Sequence, residues 1–191
     1  MLILVRHGRT ALNAAGRLQG RLDVPLDDVG REQALAVANH VGPVDVLISS
    51  PLTRAVQTAE TFGVPFLIDE RWLELSYGRF EGLLSSEALS AEAWERWRDD
   101  ATYVPLGGES LVDLDVRVRA ACEELVDQAR DCDVAVVSHV SPIKSAVAWA
   151  LGAPIDIAWR SHLSQASVCR IEMRPGGPVL TAFNERAPGP L

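Results

Sequence analysis

Short apolar runs alternate with amphipathic segments along this chain, a pattern that predicts a mainly parallel β-sheet covered by helices. Strands are predicted at residues 2–5, 45–48, 65–68 and 134–137. The first, second and fourth runs are rich in Val, Ile, Leu and Ala, as expected for strands buried on both faces. Two later strands, near 167–173 and 179–183, flank a Pro-Gly-Gly-Pro turn and predict a hairpin at one edge of the sheet.

Helices are predicted between the strands from apolar residues that recur every three or four positions. Their ranges are 28–41, 52–62, 110–130 and about 141–151. In the longest of them the charged positions, Arg117 among them, lie mostly on the wetter faces, and Ser110 is a candidate N-cap. Ser141-Pro142 predicts the start of the last helix, with serine as the N-cap and proline at the first helical position.

Residues 72–108 interrupt the alternation of strands and helices. They carry several aromatic side chains: Trp72, Tyr77, Trp94, Trp97 and Tyr103. We therefore predict a single domain over residues 1–191, with 72–108 as a small helical cap insertion that covers the strand ends. The predicted fold class is α/β, a three-layer α/β/α sandwich with a mainly parallel sheet and an antiparallel edge strand.

Charge and composition limit the partners of the chain, which has 191 residues and a formal net charge of -8. It has no Lys/Arg-rich segment, so nucleic acid is not expected as a partner. It also lacks a bilayer-length apolar stretch and a leader-like N-terminus, which predicts a cytoplasmic protein that does not bind membranes. The three cysteines form no CxxC pair, so neither a disulfide framework nor a zinc site is expected. An anionic substrate must be bound by a local cluster of positive charge.

Reactive side chains follow the carboxyl ends of the predicted parallel strands. They are Arg6 and His7 after the first strand, Ser50 and Arg54 after the second, Glu74 after the third, and Ser138 and His139 at the end of the fourth. Ligands of open α/β sheets bind in the crevice outside these ends. Four segments that are distant in sequence are therefore predicted to meet at one site.

The predicted chemistry is phosphoryl transfer through a phosphohistidine. His7 attacks phosphorus in its neutral form, and water then hydrolyses the covalent intermediate. Arg6 and Arg54 bind the phosphate oxygens and lower the pKa of His7. No metal and no other cofactor is expected, because the protein itself supplies the positive charge.

Three further groups are predicted to support this reaction. His139, if protonated, adds a third positive donor to the phosphate pocket. The N-terminal amides of the helix that begins near Ser141 add further donors. Glu74 protonates the leaving oxygen and later takes a proton from water, and Glu81 is the alternative for this role.

Motifs along most of the chain match those of one enzyme family. They are Arg6-His7-Gly8 with Thr10 and Asn13; Gly16 with Gln19-Gly20; Ser50-Pro51-Leu52 with Arg54-Ala55 and Thr58-Ala59; Glu74 with Gly78 and Glu81-Gly82; Gly108-Glu109-Ser110; and Ser138-His139. This set resembles the histidine phosphatase superfamily, also called the phosphoglycerate mutase-like family. The resemblance implies a nucleophilic His7, a phosphate pocket completed by Arg6, Arg54 and His139, and Glu74 as proton donor.

Asn13, Gln19 and Gly20 belong to the first two of these motifs. The resemblance implies that Asn13 lies near the bound phosphate, and Gln19 and Gly20 are candidate substrate-binding residues. For Asn13 and Gln19 the alternative is a role as ordinary turn residues.

Two positions depart from the family pattern. Val140-Ser141-Pro142 follows His139, where many members have two glycines, and this makes the pocket wall bulkier. Arg9 replaces a Glu or Gln of the first motif; its side chain either adds positive charge near the site or points to solvent, and we favour solvent.

The leading interpretation is a metal-independent phosphomonoesterase, similar to histidine acid phosphatases, that acts on a small phosphorylated metabolite. The alternatives are phosphoryl transfer of the cofactor-dependent phosphoglycerate mutase type and a non-catalytic phospholigand-binding domain. The compact cap and brief tail favour hydrolysis over transfer, and the retained nucleophile favours catalysis over binding alone. A zinc hydrolase is disfavoured because the four histidines show no HExxH-type spacing. The resemblance also allows a homodimer.

Overall fold

Six strands form one mixed sheet in the computed structural model, which describes residues 1–89 and 92–187. The strands are β1 (Leu2–Arg6), β2 (Val46–Ser49), β3 (Leu67–Ile68), β4 (Val134–Ser138), β5 (Ser167–Arg174) and β6 (Gly177–Arg186). Their spatial order is β3-β2-β4-β1-β5-β6, in which β1 to β4 run parallel and β5 and β6 run antiparallel to their neighbours. The predicted α/β fold, with a mainly parallel sheet and an antiparallel hairpin at one edge, is confirmed.

Helices cover both faces of this sheet. The α-helices are α1 (Ala11–Ala14), α2 (Asp28–Val41), α3 (Thr53–Glu60), α4 (Ser85–Leu89), α5 (Glu92–Asp99), α6 (Leu111–Asp131) and α7 (Val140–Ala150). Short 3-10 helices lie at Glu70–Trp72, Gly78–Phe80 and Ile155–Arg160. In the described ranges no helix combines the length with the apolar character that crossing a bilayer requires.

The sheet separates two apolar cores because side chains alternate along each strand. Leu2 and Leu4 of β1 pack into the core that contains α6 and α7. Ile3 and Val5 pack into the opposite core, with α2 and α3. Every residue of β1 and β4 is buried, so the residues that follow these two strands are held firmly at the rim of the sheet.

Parallel pairing brings the ends of β1 and β4 to the same level. Arg6 is paired with Ser138, and the N–H of His7 donates to the carbonyl oxygen of Ser138 at 3.0 Å. The residues that come after the two strands, His7 and His139, therefore lie side by side, with ring centroids 5.1 Å apart.

Aromatic rings anchor the segment 72–108 to the rest of the molecule. Trp94 lies edge to face with both Trp97 and Trp159, with ring centroids 5.5 and 5.7 Å apart. Tyr77 packs against the first two of these rings. Such pairs add about 0.5–1.5 kcal/mol each beyond the burial of their area.

The first turn of α7 differs from the prediction. The N-cap is His139 and the helix begins at Val140, so the prediction of a Ser141 N-cap was wrong. Pro142 occupies the third helical position, where a missing N–H is tolerated because the first-turn N–H groups have no partner within the helix. The N–H groups of Val140 and Ser141 bind a carboxylate from a distant segment, as described below.

Two glycines allow α2 to pack directly on the segment that follows β1. A Cβ atom on Gly30 would lie 1.9 Å from the carbonyl oxygen of Arg9. A Cβ atom on Gly8 would lie 2.3 Å from the carbonyl oxygen of Gly30. Both obstacles are main-chain atoms, which cannot yield without moving α2 away from the sheet.

We expect Gly30→Ala to lower the free energy of unfolding by about 1–3 kcal/mol, the usual cost of overpacking. This loss exceeds the gain of about 1 kcal/mol that alanine brings to a helix interior. Urea unfolding measures the difference, with Gly176→Ala as the matched control because its added Cβ meets no atom of residues 1–89 or 92–187 within 4 Å. A Gly30→Ala protein as stable as the native one would contradict the prediction.

Candidate active site

His7 is held as a neutral imidazole directly after β1. It is 2% exposed, and its Nδ1 lies 2.7 Å from the carbonyl oxygen of Gly8. Because that oxygen only accepts, Nδ1 carries the proton, and the lone pair of Nε2 accepts from Nε of Arg54 at 3.3 Å. Burial, followed by the charges of Arg54 and Arg6, lowers the pKa of His7 well below its usual value. The site therefore presents an uncharged nitrogen nucleophile.

Arg6 supplies a buried positive charge with an open donor. Its Nη1 donates to the carbonyl oxygen of Leu163 at 2.5 Å, while its Nε is buried without a partner among the described residues. Burial lowers the pKa of Arg6 to about 10, so the guanidinium stays charged at pH 7. A buried cation with an unsatisfied N–H is costly unless an anion binds there.

Arg54 joins the nucleophile to the neighbouring loop. Besides its contact with His7, its Nη1 donates to the carbonyl of Leu22 at 2.8 Å and its Nη2 to the carbonyl of Gly20 at 2.7 Å. These acceptors orient the guanidinium without neutralising it. A guanidinium has about five N–H donors, so those not engaged in these three contacts remain for a ligand.

His139 lies behind His7, fully buried. Its Nε2 is 2.7 Å from the hydroxyl of Ser50, and its Nδ1 is buried with no partner in the part of the chain that the structure describes. Burial, followed by the charge of Arg54, lowers the pKa of His139 well below its usual value. The ring is therefore neutral at pH 7 and is not the charged donor considered from the sequence.

Glu74 closes the opposite side of the site and caps α7. Its Oε1 accepts from the N–H groups of Leu75 at 2.8 Å and Ser141 at 3.1 Å, and its Oε2 accepts from the N–H of Val140 at 3.1 Å. A carboxylate at a helix N-terminus is stabilised by these donors and by the helix dipole. The α7 amides thus bind Glu74, and their predicted availability for phosphate was wrong.

Asn13 and Gln19 are oriented by the buried hydroxyl group and N–H of Thr10. The N–H of Thr10 donates to Oδ1 of Asn13 at 3.2 Å, and its hydroxyl lies 2.9 Å from Oε1 of Gln19. With their carbonyl oxygens engaged, both side chains are left with their amide nitrogens for other partners. Gly20 has a φ of 54°, and a Cβ there would lie 2.2 Å from the carboxylate of Glu81.

One cavity of about 230 Å³ joins these groups. Its lining contains the predicted residues Arg6, His7, Asn13, Gln19, Gly20, Arg54 and Glu74, together with Gly16, Arg17, Leu18, Tyr77, Ser85 and Val140. The structure thus brings together all the predicted site residues, with His139 packed behind His7. The presence of Val140 in the lining agrees with the bulkier wall that the sequence indicates.

Arg17 and Tyr77 are cavity residues that the sequence analysis did not assign to the site. Arg17 donates to the carbonyl of Gly82 at 2.6 Å and has an exposed side chain. The sequence signal that could have assigned Arg17 to the site was its position between Asn13 and Gln19. Burial raises the pKa of Tyr77, so its hydroxyl keeps its proton.

Two other side chains considered from the sequence have partners of their own. Glu81 accepts from the N–H groups of Arg21 at 3.0 Å and Tyr77 at 3.1 Å, and it is not among the cavity-lining residues. Arg9 is partly exposed and pairs with Asp27 at 2.8 Å. Glu81 thus connects two loops, and Arg9 forms a surface ion pair.

The chain is similar to several phosphatases over most of its length. The sequence profile of the histidine phosphatase superfamily (branch 1) matches residues 2–186. Phosphoserine phosphatase 1 of Hydrogenobacter thermophilus is 32% identical over 192 residues, which cover 96% of this chain and 91% of that protein. The structure of a mycobacterial glucosyl-3-phosphoglycerate phosphatase complexed with VO3 superposes with a TM-score of 0.86 at 32% identity, covering 96% of this chain and 98% of that one.

The similarity also extends to longer proteins. A bifunctional protein of Mycobacterium tuberculosis is 36% identical over 185 residues. The match covers 92% of this chain but 51% of that protein, so this chain spans about half the length of that relative.

Proposed function

This chain belongs to the histidine phosphatase superfamily, and we propose that it hydrolyses phosphomonoesters of small metabolites through a phosphohistidine on His7. One observation carries the proposal: the unprotonated Nε2 of His7 accepts from Arg54, and His7 lines a cavity together with the buried side chains of Arg6 and Arg54. A neutral nucleophile beside desolvated positive charge is what attack on an anionic phosphorus centre requires.

In the first step, Nε2 of His7 attacks phosphorus and the ester P–O bond breaks. The open donors of Arg6 and Arg54 bind the non-bridging oxygens, where charge-assisted hydrogen bonds contribute about 1.5–3 kcal/mol each. The leaving oxygen takes a proton from the carboxyl group of Glu74. The phosphorylated imidazole remains beside the two guanidiniums.

Glu74 needs a proton before it can give one, because its carboxylate accepts three N–H groups in this structure. A phosphomonoester monoanion brings that proton, since the second ionisation of such esters has a pKa of about 6. In the second step, water gives a proton to the Glu74 carboxylate and attacks phosphorus. The N–P bond breaks, inorganic phosphate leaves as its monoanion with the proton from Glu74, and His7 and Glu74 return to their starting forms.

Hydrolysis of p-nitrophenyl phosphate in the presence of EDTA tests the proposal. We expect release of inorganic phosphate that a chelator does not slow, because the guanidiniums of Arg6 and Arg54 supply the positive charge. A panel of phosphate esters extends the assay to the natural substrate class. No release from any ester would overturn the proposal, and interconversion of phosphoglycerates faster than phosphate release would favour the mutase alternative.

Arg17 gives a reason to expect a second anionic group on the substrate. It is the third arginine of the cavity lining, and its guanidinium binds a carbonyl oxygen, that of Gly82. The substrates named for the relatives above, phosphoserine and glucosyl-3-phosphoglycerate, both contain a carboxylate. A carboxylate on the substrate is the natural partner of this guanidinium.

We expect Arg17→Met to raise KM for phosphoserine about 5- to 10-fold, the effect of losing one exposed charge-assisted contact. KM for glycerol phosphate, which lacks a carboxylate, serves as the internal control and stays within about 2-fold of the native value. Steady-state kinetics of the native and Arg17→Met proteins on both esters measure the difference. An equal rise for the two esters would assign Arg17 to the phosphate or to the shape of the cavity instead.

A further inference from the structure

Three charged side chains from separate parts of the chain meet behind Glu74. Arg117 of α6 binds the carboxylate of Glu109 through two contacts, Nε to Oε1 at 2.8 Å and Nη2 to Oε2 at 2.9 Å. Arg21, from the loop after α1, reaches the same carboxylate with Nη2 at 3.2 Å from Oε2. The Glu109 and Arg117 side chains are 14% and 17% exposed, so this pair is less screened than a surface ion pair, whereas the Arg21 side chain is exposed.

The network reaches the main chain of the catalytic segment. The carbonyl oxygen of Glu74 lies 3.4 Å from Nε of Arg21 and 3.4 Å from Nη2 of Arg117. In addition, the N–H of Glu109 donates to the carbonyl of Ser76 at 3.0 Å. The network therefore touches this segment at two points.

The position of Glu74 depends on such outside contacts. Residues 73–77 lie in neither a helix nor a strand, so regular hydrogen bonding does not fix them. Arg117 holds the residues before them by donating to the carbonyl of Arg71 at 2.6 Å. On the inner side, the Glu74 carboxylate accepts from the first N–H groups of α7. Glu74 is thus held from both sides, through its main-chain carbonyl on one side and its carboxylate on the other.

The same network connects two walls of the cavity. Arg21 directly follows Gly20, whose carbonyl oxygen accepts from Arg54. The main-chain N–H of Arg21 donates to Glu81, which also accepts from the N–H of Tyr77. Arg21 thus contacts Glu81 through its main chain and the segment that carries the proton donor through its side chain.

We propose that Glu109 is a positioning residue that fixes the carboxyl group of Glu74, through Arg117 and Arg21, relative to the phosphate site. The inference rests on the proposed function, in which Glu74 protonates the leaving oxygen. Glu109→Gln keeps the size of the side chain and removes its charge, so the two guanidiniums then repel each other. A displacement of about 1 Å at a catalytic group is enough to cost on the order of 10²-fold in rate.

The dependence of kcat/KM on the leaving group of the ester distinguishes a positioning role of Glu109 from a merely structural one. The alkoxide of glycerol phosphate must be protonated as it leaves, whereas p-nitrophenolate leaves without a proton. The ratio kcat/KM reports only the steps up to formation of the phosphohistidine. It therefore does not depend on the later step, in which Glu74 takes a proton from water. We expect Glu109→Gln to lower kcat/KM about 10- to 100-fold for glycerol phosphate and less than about 3-fold for p-nitrophenyl phosphate. Inhibition by inorganic phosphate stays at its native strength.

Two further variants calibrate the measurement. Glu74→Gln gives the full loss of proton donation, on the order of 10²–10⁴-fold for glycerol phosphate. Glu185→Gln is the matched control, because the Glu185 carboxylate of β6 also joins two basic side chains, Arg170 and His40. We expect it to show native kcat/KM on both esters.

The outcomes distinguish the inference from the function on which it rests. A loss in Glu109→Gln that is selective for glycerol phosphate supports the inference, and equal losses on the two esters, or none, overturn it. If Glu74→Gln itself shows no such selectivity, the role of Glu74 as proton donor is wrong and the inference falls with it. Should Glu109→Gln not fold, Arg117→Lys, which keeps the charge and loses the two-point contact, is judged by the same comparison.

Discussion

Replacing His7 by alanine is expected to reduce phosphate release at least about 10⁴-fold and to remove the covalent phosphoenzyme. The reason is the environment of its Nε2, which is unprotonated and lies beside the guanidinium of Arg54. His139 is the nearest other imidazole, yet its Nε2 is bonded to Ser50 and it is not among the cavity-lining residues. It is therefore not placed to take over the attack.

Rapid quenching with a ³²P-labelled ester measures this directly. The native protein should carry an acid-labile, alkali-stable label, as a phosphohistidine does, and His7→Ala should carry none. His40→Ala is the control, since His40 pairs with Glu185 on the surface, and it should label like the native protein. Far-UV circular dichroism establishes that His7→Ala is folded. Label on a folded His7→Ala protein would show that another group is the nucleophile.

The sequence predicts that the reactive residues after β1 and β4 meet at one site, because both strands come from fully apolar runs. The runs at 2–5 and 134–137 have no polar residue, which leaves burial on both faces of a parallel sheet as the consistent assignment. Reactive residues that follow such strands must come out at the same edge. The register that pairs Arg6 with Ser138 then places His7 beside His139.

The cap at the start of α7 is a feature that the local sequence does not predict. Serine followed by proline is a strong signal for a helix start, yet the carboxylate that caps this helix comes from Glu74, which is 66 residues away from Val140. Arg117 is a second case, because its helical position places it on a wetter face while Glu109 and the 71–74 main chain cover it. Long-range polar contacts of this kind depend on the folded arrangement and leave no periodic signal in the sequence.

The proposed binding of an anion by a chain with a net charge of -8 has a structural explanation. The two guanidiniums at the centre of the site donate to main-chain carbonyl oxygens, Arg6 to that of Leu163 and Arg54 to those of Gly20 and Leu22. Carbonyl oxygens orient a guanidinium and leave its full charge available. The field at His7 is therefore positive even though the surface as a whole is acidic.

Arg6→Met is expected to lower kcat/KM for p-nitrophenyl phosphate on the order of 10²–10³-fold, through loss of its charge-assisted contacts to the phosphate. It should also change the pH dependence. Burial contributes most to the low pKa of His7, and the charges of Arg54 and Arg6 lower it further. Removing Arg6 therefore raises the pKa of His7. Because a protonated His7 has no lone pair on Nε2, the acid limb of kcat/KM moves to higher pH.

Arg6→Lys separates the effect of charge from that of geometry. It keeps a positive charge near His7 but lacks the Nε–H and the planar fork that bind phosphate oxygens. We expect its kcat/KM to fall while its acid limb stays close to the native one. Both effects are measured from pH profiles of kcat/KM for the native, Arg6→Met and Arg6→Lys proteins. The profiles cover about pH 4 to 8, the range in which histidines and phosphate esters titrate. Ionisation of the substrate affects the three profiles equally because the ester is the same. An acid limb that does not move in Arg6→Met would mean that the charge of Arg6 does not hold His7 in its reactive form.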